Sequence, residues 1–278
     1  MSSDADIQEH DTGAPLAGRS VIVTRAADQA RALTEPLEAL GAEVLAFPVI
    51  ATVEPPDWDP ADQAIGQLGQ YHWIVLTSAN AVRCFFKRLE HHGLDAEAVA
   101  EPSFAVVGSA TAKALRAYGI EPHLIPADFS AEGLIAEFEE LGLGEGSHVL
   151  IPRAIEAREL LPDTLRSWGA TVDVAPVYQT VPGEPGPGVL ERLRDEAVDA
   201  ATFTSPSTFR NFRAMLQTAE LDADATLRGM VLASIGPVTS EAIRASGHEV
   251  AVEPEKSTVK ELAAALGAYY AAVDGGAR

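Results

Sequence analysis

SVIVTRAADQARALTEPLEALGAEVLAFPVIATV, residues 20–53, recurs further along the chain as HVLIPRAIEARELLPDTLRSWGATVDVAPVYQTV, residues 148–181. Arg25 aligns with Arg153, Gly41 with Gly169, Pro48 with Pro176 and Val53 with Val181, each pair 128 positions apart. Outward from this stretch, WIVLTSANAV (73–82) matches AATFTSPSTF (200–209), with Ser78 and Ser205 separated by 127. FAVVGSATAKALRAYG (104–119) then matches VLASIGPVTSEAIRASG (231–247), where Gly108/Gly236 and Thr111/Thr239 return to a spacing of 128. Register held across three blocks with one single-residue slip reads as a duplicated half.

Each half alternates strand and helix. Val21–Thr24, Trp73–Thr77, Phe104–Val107, His148–Ile151, Ala201–Thr204 and Val231–Ile235 are short, β-branched and almost continuously apolar. Strands of that kind belong in parallel sheets covered on both faces, which predicts two similar doubly wound α/β domains. Pro36 and Pro162 fall inside the helical windows that follow Arg25 and Arg153, so each helix is expected to begin near its proline, where the missing N–H costs nothing. Pro/Gly punctuation marks the boundaries. The expected division is an acidic tail over 1–17, a first domain over 18–47 plus 183–272, and an inserted domain over 54–175. Residues 48–53 and 176–182 are the linker, in which Val49–Val53 and Val177–Val181 pair as a two-stranded ladder. The chain crosses twice, a cleft is expected between the domains, and 274–278 should fray.

Composition narrows the chemistry. Of 278 residues, 41 are acidic and 20 basic, for a formal charge of −21, and only four of the basic residues are lysine. Such a chain has no basic footprint for nucleic acid. The acidic, lysine-poor surface reads as one adapted to concentrated salt, since at ~1 M the Debye length is ~3 Å and self-repulsion is screened. No apolar run approaches the ~20 residues of a membrane helix, and the acidic N-terminus is unlike a signal peptide, so a cytoplasmic protein is expected, and separately a monomer. The single cysteine, Cys84, rules out an internal disulfide framework and a thiolate-rich metal site. The seven histidines show no metal-ligand spacing, and no Walker A, GxGxxG or GxSxG motif occurs. No cofactor is expected.

What remains sits at the C-terminal ends of strands, where open parallel sheets bind ligands. Thr77, Ser78 and Asn80, then Gly108, Ser109 and Thr111, then Ser205 and Ser207, then Gly236 and Thr239 all stand at strand-to-helix junctions. Serine and threonine there are good N-caps, each worth ~1 kcal/mol. The same junctions also expose backbone N–H groups and about half a positive charge per helix start, which suits anions. Arg25 and Arg153 occupy the equivalent junction of the remaining unit in each half. They serve either as surface partners for acidic neighbours or as carboxylate binders.

VLTSANAV, FAVVGSATAKAL, the PVYQT linker, FTSPST and ASIGPVTSEAI, in that order, closely resemble the uroporphyrinogen-III synthase family over about 20–270. The resemblance implies two α/β domains joined by a two-stranded ladder. It also implies an activity: hydroxymethylbilane, a linear tetrapyrrole with eight carboxylates, loses water, inverts ring D through a spiro intermediate and closes to uroporphyrinogen III, with no cofactor. Carried over by position, the family's junction residues fall on Thr77-Ser78, Gly108 to Thr111, Ser205-Pro206-Ser207 and Gly236 to Thr239. The linker tyrosine that assists loss of the hydroxyl falls on Tyr178. Some members carry arginine where this chain has Asn80, so one carboxylate contact is replaced by a weaker donor. The other reading is a catalytically inactive two-lobed binder of a polycarboxylate.

Overall fold

Val21 and Val23 enter one apolar cluster with Leu33, Leu37 and Leu266, while Ile22 between them enters another with Phe203, Phe209 and Phe212. Successive side chains of a strand leave opposite faces, so a strand apolar at every position must be covered on both. Ile74 and Leu76 likewise pack with Phe85, Phe86 and Leu89, whereas Val75 packs with Leu134, Phe138 and Leu165.

The structure, a computed structural model, describes residues 14–276. Residues 1–13 of the expected acidic tail and 277–278 of the expected frayed end lie outside it. Along the chain run β1 (Ser20–Val23), α1 (Ala27–Ala39), β2 (Glu43–Ala46), β3 (Ala51–Val53) and α2 (Asp59–Ile65). There follow β4 (Trp73–Leu76), α3 (Ala79–His91), β5 (Ser103–Val106), α4 (Ser109–Arg116) and α5 (Ala131–Glu140). Next come β6 (His148–Ala154), α6 (Leu160–Ser167), β7 (Thr171–Val181), α7 (Val189–Arg194), β8 (Ala200–Phe203) and α8 (Pro206–Thr218). The chain ends with α9 (Ala223–Arg228), β9 (Val231–Ser234), α10 (Pro237–Arg244) and α11 (Val259–Gly276).

These elements form two units. One comprises the described residues of Met1–Ala51 and Pro182–Arg278, the other Thr52–Val181. Among the described residues the first unit holds a four-stranded sheet in the order β2-β1-β8-β9, with every pairing parallel. A five-stranded sheet runs β3-β7-β6-β4-β5, with β7-β6, β6-β4 and β4-β5 parallel. This is the α/β class with parallel sheets expected from the strand pattern.

Several local expectations change. Helix α1 does not begin near Pro36 but carries it three residues from its end. The proline removes one backbone donor, yet fully buried Leu33 and Leu37 hold the turn on the sheet, so packing overrides the local preference. Helix α6 does start at Leu160, two residues before Pro162. Leu16, read as part of the tail, is fully buried, and its N–H donates to the Leu40 carbonyl at 2.8 Å. Val49, read as a ladder residue, is instead buried in the core of the first unit, and β3 begins at Ala51. The eleven-residue β7 lies between β3 and β6, so the ladder is continuous with the five-stranded sheet. Residues 274–276, expected to fray, remain helical: Arg19 donates to Asp274 at 2.9 Å, and the Tyr270 hydroxyl donates to the Asp199 carbonyl at 3.0 Å.

Candidate functional site

The order β7-β6-β4-β5 lines up Tyr178, Arg153, Thr77-Ser78 and Gly108-Ser109 along the C-terminal edge of the second unit's sheet. Ser78 is the N-cap of α3, with its Oγ accepting from the Ala81 N–H at 3.0 Å and lying 3.1 Å from the Tyr178 hydroxyl. Tyr178 reaches it through an irregularity in β7. Arg153 pairs with Pro176 but Ala154 pairs with Tyr178, so Val177 is an extra residue. Ala175, Val177 and Tyr178 consequently share one apolar cluster, where simple alternation would send Tyr178 to the other face.

Gly108 caps α4 at φ +86°, ψ 156°, a conformation that only glycine adopts without strain. Asn80 is held on both sides: its Nδ2 donates to Thr52 Oγ1 at 3.0 Å, and Arg83, one helical turn on, donates to its Oδ1. Arg153 is not a junction residue, because β6 runs on to Ala154 and takes Arg153 into the strand. Its guanidinium is buried, donates to the Arg158 carbonyl at 2.9 Å and pairs with Glu159, while its Nε has no partner. A cavity of about 300 Å3 opens beside it, walled by Thr77, Phe129, Glu132, Arg158 and Leu160. A second cavity, about 240 Å3, lies against Trp58, Cys84, Lys87 and His91 and includes none of the candidate site residues.

In the first unit Arg25, Ser205-Ser207 and Gly236 follow β1, β8 and β9. Arg25 is half-buried. Its Nε donates to the Gln29 carbonyl at 3.0 Å, and burial pulls its pKa below the ordinary arginine range, with Asp28 partly offsetting the effect. Ser205 and Thr208 form a reciprocal capping box at the start of α8, and Ser205 Oγ is 2.8 Å from Ser207 Oγ. Gly236 caps α10 with extended backbone (φ 170°), and a Cβ there would meet Ser257 Oγ at 2.2 Å. Beneath it the Ser234 hydroxyl donates to the Gly236 carbonyl at 3.2 Å, and buried Ser240 donates to Glu253. Thr111 and Thr239 are each only 3% exposed. Both threonines are therefore buried beneath their junctions, whereas Ser109 at the start of α4 is exposed.

Sequence reading missed Thr52, Arg83, Phe129 and Arg158. Arg83 carried a usable signal, its i,i+3 spacing from Asn80. Phe129 gave none. It is a half-exposed aromatic in the left-handed region (φ +51°) at the cavity mouth, and only the path of the loop puts it there. Among the described residues no group of three or more His, Cys, Asp or Glu is placed to hold a metal ion, and no helix is long and apolar enough to cross a membrane.

Helix starts that follow the C-terminal ends of parallel strands define an open-sheet α/β protein, the class that binds its ligands at those strand ends. A family model described as uroporphyrinogen-III synthase HemD matches residues 31–264, and the chain belongs to that family. It is 34% identical over 255 residues to a uroporphyrinogen-III synthase of Synechococcus elongatus, a match covering 91% of this chain and 96% of the relative. A uroporphyrinogen-III synthase of Chlorobaculum parvum is 28% identical, with 89% and 99% covered. The fold is similar to that of a mutant uroporphyrinogen III synthase from Thermus thermophilus, with a TM-score of 0.56 at 22% identity, covering 92% of this chain and 99% of that one.

Proposed function

We propose that this chain is a uroporphyrinogen-III synthase, a lyase of tetrapyrrole biosynthesis that converts hydroxymethylbilane to uroporphyrinogen III with loss of water and inversion of ring D. The observation that carries the reading is the family match, which spans 31–264 and is accompanied by a 34%-identical relative over nearly the whole chain. The same reading puts the enzyme in the cytoplasm as a monomer.

The chemistry asks little of acid or base groups. A hydroxymethylpyrrole expels its hydroxyl by electron push from the ring nitrogen, so catalysis consists mainly of holding one chain conformation and disfavouring simple head-to-tail closure. Each unit offers helix starts to carboxylates of the substrate, α3 and α4 in the unit that holds Arg153, and α8 and α10 in the unit that holds Arg25. Tyr178 is the donor to the departing hydroxyl. A positioned weak acid contributes typically about 10²-fold or more to a proton transfer, and less where, as here, the substrate ionises largely unaided.

The test is direct. Hydroxymethylbilane generated by a coupled enzyme is offered to the purified chain, and the products are oxidised and separated by isomer. Type III product in excess of type I is expected. Type I alone, the product of unassisted closure, overturns the assignment; binding of the bilane without turnover would establish the polycarboxylate binder instead.

A further inference from the structure

Ser78 Oγ makes two contacts with different consequences. The Ala81 N–H donates to it at 3.0 Å, and Tyr178 Oη stands 3.1 Å away. A serine hydroxyl carries one proton and two lone pairs, and a tyrosine hydroxyl also carries one proton. The Ala81 bond occupies one serine lone pair. One hydroxyl proton then makes the bond between the two oxygens, which leaves the pair a single proton to donate elsewhere.

We propose that Ser78 is a positioning residue for the reaction: it donates its proton to Tyr178 Oη, so that the tyrosine's own proton points away from the pair toward the departing hydroxyl of the substrate. This rests on the synthase reading above. Three observations favour that direction of donation. The backbone N–H on Ser78 Oγ polarises its O–H and makes it the better donor. Ser78 caps a thirteen-residue helix whose partly positive N-terminus favours the negative charge that builds on Oη as its proton leaves. The extra residue in β7 puts the tyrosine ring in the same apolar cluster as Ala81, Val82 and Val177, and its hydroxyl is held at Ser78.

The step balances within the enzyme and substrate. The C–O bond of the hydroxymethyl group breaks with its electrons on oxygen, while the pyrrole nitrogen supplies electrons to the carbon. The Tyr178 proton completes the water molecule. The phenolate left behind is stabilised by the Ser78 hydroxyl and recovers a proton when the attacked ring carbon loses its hydrogen as the macrocycle closes. A carboxylate-binding role for Ser78 would instead act on substrate affinity.

The two roles separate in steady-state kinetics of Ser78→Ala, Ser78→Thr, Tyr178→Phe and the double variant Ser78→Ala/Tyr178→Phe, each checked by its melting curve. Tyr178→Phe is expected to lower kcat ~10- to 100-fold, the low end of general-acid effects, because the substrate ionises largely unaided. Ser78→Ala is expected to lower kcat ~10-fold with KM changed less than ~2-fold, as for an interaction used only in the transition state. The double variant should be no slower than Tyr178→Phe, since residues that act as one unit are not additive. Ser78→Thr, which keeps both cap and hydroxyl, should restore most of the lost kcat. A rise in KM at constant kcat in Ser78→Ala, or losses that multiply in the double variant, overturns the proposal. Wild-type kcat in Tyr178→Phe overturns the tyrosine's role itself, a different result from a slow Tyr178→Phe beside an unaffected Ser78→Ala.

Discussion

Gly236→Ala tests whether the junction after β9 is held by close approach or by backbone conformation. At φ 170° the backbone is extended, so alanine suffers no conformational strain there. The obstacle is a side chain: the new Cβ would sit 2.2 Å from Ser257 Oγ and 3.2 Å from its Cβ. Overpacking of this kind costs about 1–3 kcal/mol, and Ser257 rotating its hydroxyl away keeps the cost toward the lower half of that range. Ser257→Ala removes the Oγ and leaves a tight 3.2 Å contact that a shift of a few tenths of an ångström relieves. The double variant Gly236→Ala/Ser257→Ala should therefore recover about 1 kcal/mol, seen as a coupling energy in a double-mutant cycle. Gly108→Ala is the contrast. Its Cβ would meet nothing within 4 Å, but φ +86° with ψ 156° costs a non-glycine residue about 1–3 kcal/mol that no neighbouring substitution returns. Urea unfolding gives the stabilities, and the isomer assay shows whether each junction still holds substrate. A Gly236→Ala variant of wild-type stability, or one that Ser257→Ala fails to rescue, refutes the close-approach reasoning.

Three further expectations concern charge and capping. Arg88 donates to both oxygens of Asp62 (2.6 and 2.5 Å), with His92 as a further partner, and this holds the Asp62 carboxyl at about 2, against an ordinary 3.8. A lowered carboxyl pKa stabilises the fold above its unfolded value and ceases to do so as pH falls toward the folded one. After allowance for solvent screening, Asp62→Asn should thus cost about 1–2 kcal/mol at neutral pH, with the gap to wild type in urea unfolding closing between about pH 4 and pH 2; a pH-independent gap contradicts this. Ser205→Ala removes the acceptor for the Thr208 N–H and the partner of Ser207, costing about 1 kcal/mol and raising KM; an unchanged KM would leave Ser205 as a cap and nothing more. The melting temperature should rise from low to molar KCl as the net charge of −21 is screened, and a flat or falling trend would remove the salt-adapted reading.

The fold class was legible in the chain because its signals are local. Short apolar runs at Val21, Ile74 and Phe104, each followed by a helical pattern, require parallel sheets covered on both faces, and the structure places neighbouring side chains of each run in different clusters. Cap residues were legible for the same reason: Ser78 and Ser205 bond to N–H groups three residues on, a distance that sequence spacing itself specifies. Pro36 shows the limit of that logic, since its place inside α1 is settled by Leu33 and Leu37 packing on the sheet rather than by its own preference. The partners of Arg153 and the approach of Ser257 to Gly236 likewise depend on where loops pass. Tyr178 marks the boundary most clearly. Alternation along the strand would carry it to the face opposite Val177, and one extra residue in β7 reverses that and puts its hydroxyl on Ser78, 100 positions away in the chain. Periodicity is a property of the backbone and can be read from order alone; a bulge depends on the register between two strands, which exists only once they have paired.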